Sequence, residues 1–275
     1  MFIEIATHAA ITGTFQAYEH SKELHELWSK FHYFIKHKKL SVLIIGPGGV
    51  GKTTLSHFLA HPSHKVPPKK YDESFHVEKF SLPGGVFAEL LTAPGQARHF
   101  GSWEEMFDKV KTNGRTFGII NVVGYGYHST TIDMKELRDA NQTTQSAISR
   151  YFGDCRVREI AIAGGLVDRL KKHNKPFWMI TLATKQDLWW PDRTLVDKHY
   201  RDGAYAAAID KLQEAHHIAG FRHEYFSLAL HSQNFADGGG NILLPTAEGY
   251  DDVLKYAHQE KLLQIIKGFV SPDTA

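Results

Sequence analysis

The sequence has little cysteine and no long apolar run. Its 275 residues include one cysteine, Cys155, so an internal disulfide is excluded, which is typical of a reducing compartment. We interpret Cys155 as a packed side chain rather than a catalytic thiol. No apolar run approaches the ~18 residues that a transmembrane helix needs, and the first residues lack the basic and apolar parts of a secretion signal. We therefore expect a cytoplasmic protein without a transmembrane segment.

The sequence also lacks an excess of charge of either sign. It has 32 lysines and arginines against 30 aspartates and glutamates, a net charge of +2. This balance gives no general reason to expect nucleic acid or an anionic membrane as a partner. The hydrophobic fraction of 42% and the charged fraction of 23% are ordinary for a globular protein. The 18 histidines are scattered along the chain, and we interpret most of them as surface or core residues.

A glycine-rich pattern lies near residue 50. It follows a short apolar run, 41–45, and precedes helical apolar spacing, so it joins a predicted strand to a helix. It matches the phosphate-binding loop Gly-x₄-Gly-Lys-Ser/Thr, in which the glycines let backbone N–H groups converge on phosphate. We expect nucleoside triphosphate binding, with Lys52 reaching the β- and γ-phosphates and Thr53 ligating Mg²⁺. The predicted binding residues here are Gly46, Gly48, Gly49, Val50, Gly51, Lys52, Thr53 and Thr54.

Apolar runs and amphipathic segments alternate along the rest of the chain. This alternation predicts an α/β P-loop NTPase fold, a doubly wound, mostly parallel six-stranded sheet with helices on both faces and one antiparallel hairpin strand. The predicted strands are 41–45, 75–82, 85–92, 116–123, 177–182 and 226–230. The predicted helices include 102–107, 133–141, 157–173, 205–218 and 250–269, with 238–240 as a flexible connector.

The third predicted strand runs into Leu-Thr-Ala-Pro-Gly-Gln, residues 91–96. Here the chain resembles the Ras-like small GTPases, which have Asp-x-x-Gly-Gln at this place. The residues Thr-Ala-Pro-Gly-Gln are similar to a variant of bacterial and archaeal members in which threonine replaces the aspartate. The resemblance implies that the Gly95 N–H contacts the γ-phosphate and that Gln96 orients the attacking water. Thr92 occupies the aspartate position, and a hydroxyl cannot supply the charge that supports the Mg²⁺ shell.

A second motif, Thr-Lys-Gln-Asp at 184–187, follows the fifth predicted strand. It resembles the Thr-Lys-x-Asp with which the Rho-like branch of the same family reads guanine. The Asp187 carboxylate can accept from the ring N–H and the exocyclic amine of guanine, whereas adenine offers no such donor pair. The resemblance implies that Thr184 and Lys185 also belong to the site, with the lysine stem packed over the base. It places Ala229 and Leu230 in a second base-contacting loop.

The motifs together predict a guanine-nucleotide-binding switch that binds GTP or GDP with Mg²⁺ and hydrolyses GTP slowly. Lys52 and Gln96 are the predicted catalytic residues, with a transition-state arginine supplied by Arg98 or by a partner. We expect a protein effector or activating protein as a partner. A P-loop ATPase is an alternative, but we find no apolar strand that ends in the carboxylate such enzymes use. A scaffold with little or no hydrolysis is another, favoured by Thr92 and by the lack of threonine between Thr54 and Ser81. A P-loop kinase is more distant.

Three segments lie outside the regular alternation of strands and helices. Residues 1–38 form a predicted helical extension, which we interpret as packing its aromatic stripe on the domain rather than on a partner. Residues 39–275 form the predicted nucleotide-binding domain, with an insertion at about 124–155 that is either a surface excursion or a lid or partner site. The polar segment 61–74 occupies the place of a mobile nucleotide-sensing loop.

Overall fold

The computed structural model of this chain describes residues 41–60, 78–81, 89–92, 107, 117–133, 143–170, 177–215 and 221–270. Several predicted features lie outside the described residues. These are the extension 1–38, the segment 61–74, Gly95, Gln96 and Arg98, and most of the helices predicted at 102–107 and 133–141.

Nine strands are described, in two sheets. They are β1 Ser41–Ile45, β2 Glu78–Ser81, β3 Glu89–Thr92, β4 Phe117–Val123, β5 Thr131–Ile132, β6 Phe177–Ala183, β7 Arg222–Ser227, β8 Phe235–Asp237 and β9 Ile242–Leu244. The main sheet has six strands in the order β2-β3-β1-β4-β6-β7. Only β2 is antiparallel to its neighbour. The predicted fold, a mostly parallel six-stranded sheet with one antiparallel hairpin strand, is confirmed.

Helices cover both faces of this sheet. They are α1 Lys52–Ala60, α2 Thr144–Leu170, α3 Gln186–Trp189, α4 Arg193–Arg201, α5 Ala204–Ala215 and α6 Asp252–Val270, with a 3₁₀ turn at Trp190–Asp192. Because side chains alternate along a strand, Leu43 and Ile45 pack with α2, α4 and α5, whereas Val42 and Ile44 pack with α1 and α6. Burial on both faces explains why the central strands β1, β4 and β6 are mostly apolar rather than alternating.

Helix α2 begins at Thr144, not at Val157 as its pattern suggested. Its first residues are exposed and polar, so they carry almost no apolar periodicity. The start is set instead by a cap, because Thr143 Oγ1 accepts a hydrogen bond from the Ser146 N–H at 3.2 Å. The stretch 124–155, interpreted as an insertion, therefore contains β5 and the first part of α2.

A small sheet of order β5-β8-β9 was not predicted. Strands of two or three residues are too short to show an alternating pattern. Residues 238–240, interpreted as a flexible connector, form the turn between β8 and β9. Asp237 Oδ1 holds this turn by accepting from the N–H groups of Gly239 at 2.9 Å and Asn241 at 2.8 Å.

The last strand of the main sheet also differs from its prediction. β7 spans Arg222–Ser227 rather than 226–230, so Leu228–Leu230 leave the sheet as a loop. The apolar run misled the strand prediction because Leu228 and Ala229 are buried outside a strand, beside the motif at 184–187. This loop therefore lies at the edge of the sheet where the predicted binding residues converge.

Candidate nucleotide-binding site

The phosphate loop, residues 46–51, connects the end of β1 to the start of α1. Three of its glycines have positive φ, +136° at Gly46, +75° at Gly49 and +93° at Gly51. A Cβ atom would lie 2.0 Å from Val122 O at Gly46 and 1.5 Å from His128 O at Gly49. Both positions therefore demand glycine for conformation and for space. A loop of this shape next to a helix N-terminus can direct N–H groups at an anion.

Lys52 and Thr53 lie in the first turn of α1, as predicted. Lys52 is 8% exposed, and its Nζ donates to Pro47 O at 2.6 Å, so the ammonium lies back along the phosphate loop. Thr53 is partly buried in the next position. This arrangement places a cation and a hydroxyl beside the loop amides, which is what a phosphate chain with a divalent cation requires.

The motif at 184–187 contacts the phosphate loop directly. Thr184 Oγ1 lies 2.6 Å from Val50 O and 3.1 Å from Val123 O, and Lys185 Nζ donates to Gly49 O at 2.8 Å. Lys185 has a φ of +59°, the left-handed conformation, which turns its side chain toward the loop. Part of that side chain is exposed, but the ammonium end is enclosed and burial lowers the pKa of Lys185 to about 7. Two motifs predicted separately thus form one surface.

Asp187 is buried beside this surface, and only one of its two carboxylate oxygens accepts a hydrogen bond from the described residues. It is 1% exposed, and its Oδ2 accepts from the Gln233 N–H at 3.0 Å. Its Oδ1 is buried and accepts no hydrogen bond of ordinary geometry from the described residues. Burial raises the pKa of Asp187 to about 6, against the opposing effects of the Gln233 N–H and of its own backbone amide. A buried carboxylate oxygen without a donor among the described residues is a candidate acceptor for an ordered water or a ligand.

The loop that carries Ala229 and Leu230 lies next to this motif. The Gln186 N–H donates to Leu228 O at 3.4 Å. The Ala229 N–H is engaged with the Tyr250 hydroxyl at 3.0 Å, while the carbonyls of both predicted residues accept from Gln259 Nε2. The loop therefore lies beside the motif at 184–187, but the Ala229 amide could donate to a bound base only after Tyr250 releases it.

The structure adds residues that the sequence motifs did not indicate. They are Gln233 and Tyr250, which contact the predicted residues, and His128, Glu159 and Tyr200, which surround the loop after β4. For one of these residues, Glu159, the sequence contained an indication. Glu159 lies at helical spacing among Cys155, Ile162 and Leu166, and an acid on an apolar helix face is unusual enough to flag.

Gly95 and Gln96, which the resemblance assigns to the γ-phosphate and the attacking water, lie outside the described residues. Within those residues, no group of three or more histidine, cysteine, aspartate or glutamate side chains could hold a metal ion. A magnesium ion here would depend on Thr53, phosphate oxygens and water, the shell that Mg²⁺ prefers in nucleotide sites. No described helix is long and apolar enough to span a membrane.

No protein-family model matches this chain, and no curated protein matches it. Several solved structures resemble it at low identity. A dimerization-deficient mutant of Toc33 from Arabidopsis thaliana is 12% identical with a TM-score of 0.48, and 92% of each chain is covered. Toc33 in complex with Mg²⁺ and GMPPNP is 13% identical, covering 90% of this chain and 91% of that one, with a TM-score of 0.44. The small COPII coat GTPase SAR1 from Encephalitozoon cuniculi, in complex with GDP, is 16% identical over 96% of both chains, with a TM-score of 0.39.

Proposed function

We propose that this chain binds guanine nucleotides and acts as a GTP-hydrolysing switch. The observation that carries the proposal is the buried Asp187 carboxylate, whose Oδ1 has no partner among the described residues. Its neighbour Lys185 is hydrogen-bonded to Gly49 of the phosphate loop. A nucleotide whose phosphates lie on that loop brings its base to the same surface.

The chemistry of Asp187 favours guanine over adenine. An ionised carboxylate only accepts hydrogen bonds, and guanine presents a ring N–H and an exocyclic amine side by side. Adenine presents a ring acceptor in place of that N–H, which would face the carboxylate with like polarity. Because the acceptor is buried, discrimination is strong, as an unpaired buried charge costs more than an exposed one. Thr184, Lys185, Ala229 and Leu230 complete the proposed base-binding surface.

The phosphate chain is assigned to residues 46–54. The loop amides and Lys52 bind and orient the phosphates, and Thr53 is the residue that would hold Mg²⁺. Bound Mg²⁺ supplies charge neutralisation at the β- and γ-phosphate oxygens. Gly46, Gly48, Gly49, Val50, Gly51 and Thr54 contribute through the backbone.

Hydrolysis is assigned to the segment after β3. The parallel register pairs Thr92 with Ile44, two residues before Gly46, so β3 ends beside the phosphate loop. Gly95 and Gln96 follow within four residues, and we assign them to the γ-phosphate and the attacking water. Thr92 cannot supply the carboxylate charge of related sites, so we expect slow hydrolysis that a protein partner accelerates.

A titration with labelled GTP and labelled ATP in the presence of Mg²⁺ tests the base assignment. We expect tight GTP binding and weak ATP binding by the wild type. Asp187→Asn should lose GTP and gain xanthine nucleotide, because xanthine carries a carbonyl where guanine has its amine. Equal or tighter ATP binding that Asp187→Asn leaves unchanged would overturn the guanine assignment and favour an ATPase.

A nucleotide-binding scaffold is the second candidate, favoured by Thr92 at the end of β3. A hydrolysis assay with the purified chain, alone and with Gln96→Leu, separates the two. Slow turnover that Gln96→Leu abolishes supports the switch. Turnover no faster than that of GTP in buffer, in the presence of tight binding, supports the scaffold.

A further inference from the structure

A buried carboxylate lies behind the phosphate loop. Glu159 of α2 is fully buried, and its Oε1 accepts from the Gly124 N–H at 2.8 Å and from His128 Nε2 at 2.9 Å. Its Oε2 accepts from the Tyr200 hydroxyl at 2.7 Å. Burial alone would raise the pKa of Glu159, but these donors outweigh it and hold the pKa below its ordinary value. Burial lowers the pKa of His128 against the opposing effect of the Glu159 carboxylate.

The residues that Glu159 holds form a strained turn, residues 124–128. The Tyr127 N–H donates to Gly124 O at 2.9 Å, and the two central residues, Tyr125 and Gly126, have φ angles of +51° and +95°. Positive φ at both centres is the pattern of a type I′ turn, which a tyrosine rarely adopts. The Tyr125 N–H is held as well, by the Tyr200 hydroxyl at 2.8 Å. The conformation of this turn is therefore over-determined by donors that converge on one carboxylate.

The other side of the turn meets the phosphate loop. The Gly49 backbone lies so near to His128 O that a Cβ there would be 1.5 Å from the oxygen. A Cβ on Gly124 would lie 3.5 Å from Cγ1 of Val50. Gly49 and Val50 are also the residues whose carbonyls accept from Lys185 and Thr184. The turn thus supports the part of the phosphate loop that is hydrogen-bonded to the motif at 184–187, which we call the base-recognition motif.

We propose that Glu159 is a positioning residue for nucleotide binding, whose carboxylate locks the turn 124–128 against the phosphate loop and so sets how long a nucleotide stays bound. This role rests on the proposed nucleotide binding, though not on the choice of guanine. Tyr200 shares the role, since its hydroxyl bridges the carboxylate and the turn. It also lies on α4, in the segment that follows the base-recognition motif.

Two tyrosines provide a matched comparison. Tyr200 and Tyr205 are both fully buried, and each hydroxyl has two partners. Tyr200 contacts the turn and Glu159, whereas Tyr205 contacts Asn121 Nδ2 at 2.6 Å and Thr181 Oγ1 at 3.2 Å, inside the sheet. Tyr200→Phe and Tyr205→Phe therefore remove similar buried hydrogen bonds, but only the first removes support from the phosphate loop. Glu159→Gln keeps the shape of the side chain and removes its charge.

The dissociation rate of labelled GDP in Mg²⁺ is the test, measured on the full chain of the wild type and the three variants. We expect dissociation to be about tenfold faster in Glu159→Gln, which removes the charge that strengthens these hydrogen bonds, and several-fold faster in Tyr200→Phe, which removes one of them. Tyr205→Phe should dissociate within about twofold of the wild type, although it lowers the melting temperature as Tyr200→Phe does. Hydrogen exchange of the nucleotide-free proteins should show faster exchange at 124–128 and 46–51 in the first two variants only.

Each outcome decides a different assignment. Unchanged dissociation in Glu159→Gln, or equal acceleration by Tyr205→Phe, would overturn the positioning role and leave Glu159 as ordinary core support. Preferential binding of ATP by the wild type would overturn only the guanine assignment, and labelled ADP would then replace GDP in the same comparison. Failure of the wild type to bind any nucleotide would overturn the proposed function and the positioning role together. Unaltered exchange at 46–51 in Glu159→Gln would count against the lock itself.

Discussion

The Asp187 carboxylate is buried, and its Oδ1 has no hydrogen-bond donor within the part of the chain that the structure describes, so its ionised form is disfavoured in the folded state. Burial raises its pKa to about 6 from an ordinary value of 3.8. Between pH 3.8 and about pH 6, the folded state therefore keeps a proton that the unfolded state has released. The stabilising effect of that proton is fully present below pH 3.8 and is lost as the pH rises through about 6. At neutral pH the residue is retained at a cost in stability, as is common in binding sites.

Asp187→Asn should therefore become more stable relative to the wild type as the pH rises. Between about pH 4.5 and about pH 7.5 we expect the difference in unfolding free energy to move by about 2 kcal/mol in favour of the variant. Urea unfolding of both nucleotide-free proteins across that range measures it. Groups that do not interact with Asp187 cancel in the difference, which therefore reports Asp187 together with its coupling to Lys185. A pH-independent difference would show that the carboxylate is not perturbed.

Lys52→Ala should abolish binding of nucleoside triphosphates. Lys52 Nζ lies beside the phosphate loop, hydrogen-bonded to Pro47 O, and charge-assisted hydrogen bonds to phosphate are strong. We expect affinity for labelled GTP to fall by about 100-fold or more. Lys211→Ala is the control, because Lys211 is exposed on α5 and its removal changes the net charge equally. Wild-type affinity in Lys52→Ala would show that the phosphate loop is wrongly assigned.

At the scale of elements, β4 and β6 pack through a glycine. Gly118 pairs with Trp178 across the strands, and a Cβ on Gly118 would lie 2.0 Å from the indole ring. That ring stacks on Phe269 of α6 with centroids 5.2 Å apart. The contact therefore links two strands of the sheet to the last helix.

Gly118→Ala should destabilise the protein by about 1–3 kcal/mol, because the indole must move and disturb its stacking on α6. Thermal unfolding measures the loss. Gly164→Ala is the matched control, since Gly164 lies within α2 and a Cβ there meets no atom within 4 Å. It should raise stability by about 0.5–1 kcal/mol through the better helix propensity of alanine. Similar losses in both variants would refute this packing argument.

Elements with strong local signals were predictable from the sequence, and those built on distant contacts were not. The apolar run 41–45 identifies a strand, the glycine-rich pattern after it identifies a loop, and the apolar spacing that follows identifies a helix. β5, β8 and β9 have no such pattern, since they are only two or three residues long. They form because β8 pairs with both β5 and β9. The start of α2 was missed because its first turn is polar and exposed, although Thr143 in front of it is a capping residue.

Helix α2 also shows why part of the site was missed. Glu159 was counted within an amphipathic helix, and no sequence pattern connects it to Gly124, which lies 35 positions away. Its role depends on how α2 packs on the loop after β4. The sequence indicated the residues proposed to touch a nucleotide, because they belong to short motifs. It did not indicate the residues that hold those motifs in place, because they depend on long-range packing.

At the scale of the whole molecule, strand order explains why distant motifs meet. β4 lies between β1 and β6, so the loops at the carboxyl ends of β1 and β6 share one edge of the sheet. Thr184 and Val50 are 134 positions apart and yet lie within hydrogen-bonding distance. This convergence at the carboxyl ends of parallel strands is where open α/β sheets bind ligands. The order of the motifs along the chain does not predict this convergence by itself, because the convergence depends on the order of the strands in the sheet.

The same geometry predicts that nucleotide binding and the stability of the free protein respond to pH with opposite sign. In the proposed function, guanine needs the ionised Asp187, whereas the free protein is more stable with Asp187 protonated. With a pKa of about 6, lowering the pH should weaken GDP binding below that value, by up to about tenfold per pH unit. Lys185, with a pKa of about 7, and the phosphates of GDP also titrate nearby, so the comparison must share them.

GDP affinity should therefore be measured from about pH 5 to about pH 7.5 for the wild type and for Asp187→Asn, the variant at higher protein concentration. Both contain Lys185 and bind the same ligand, so the difference in slope reports Asp187 together with its coupling to Lys185. We expect the wild type to lose affinity steeply below about pH 6 and the variant to show the shallower dependence of the remaining groups. Parallel slopes would mean that Asp187 does not bind the base as an anion, and the guanine assignment would then have to rest on other residues.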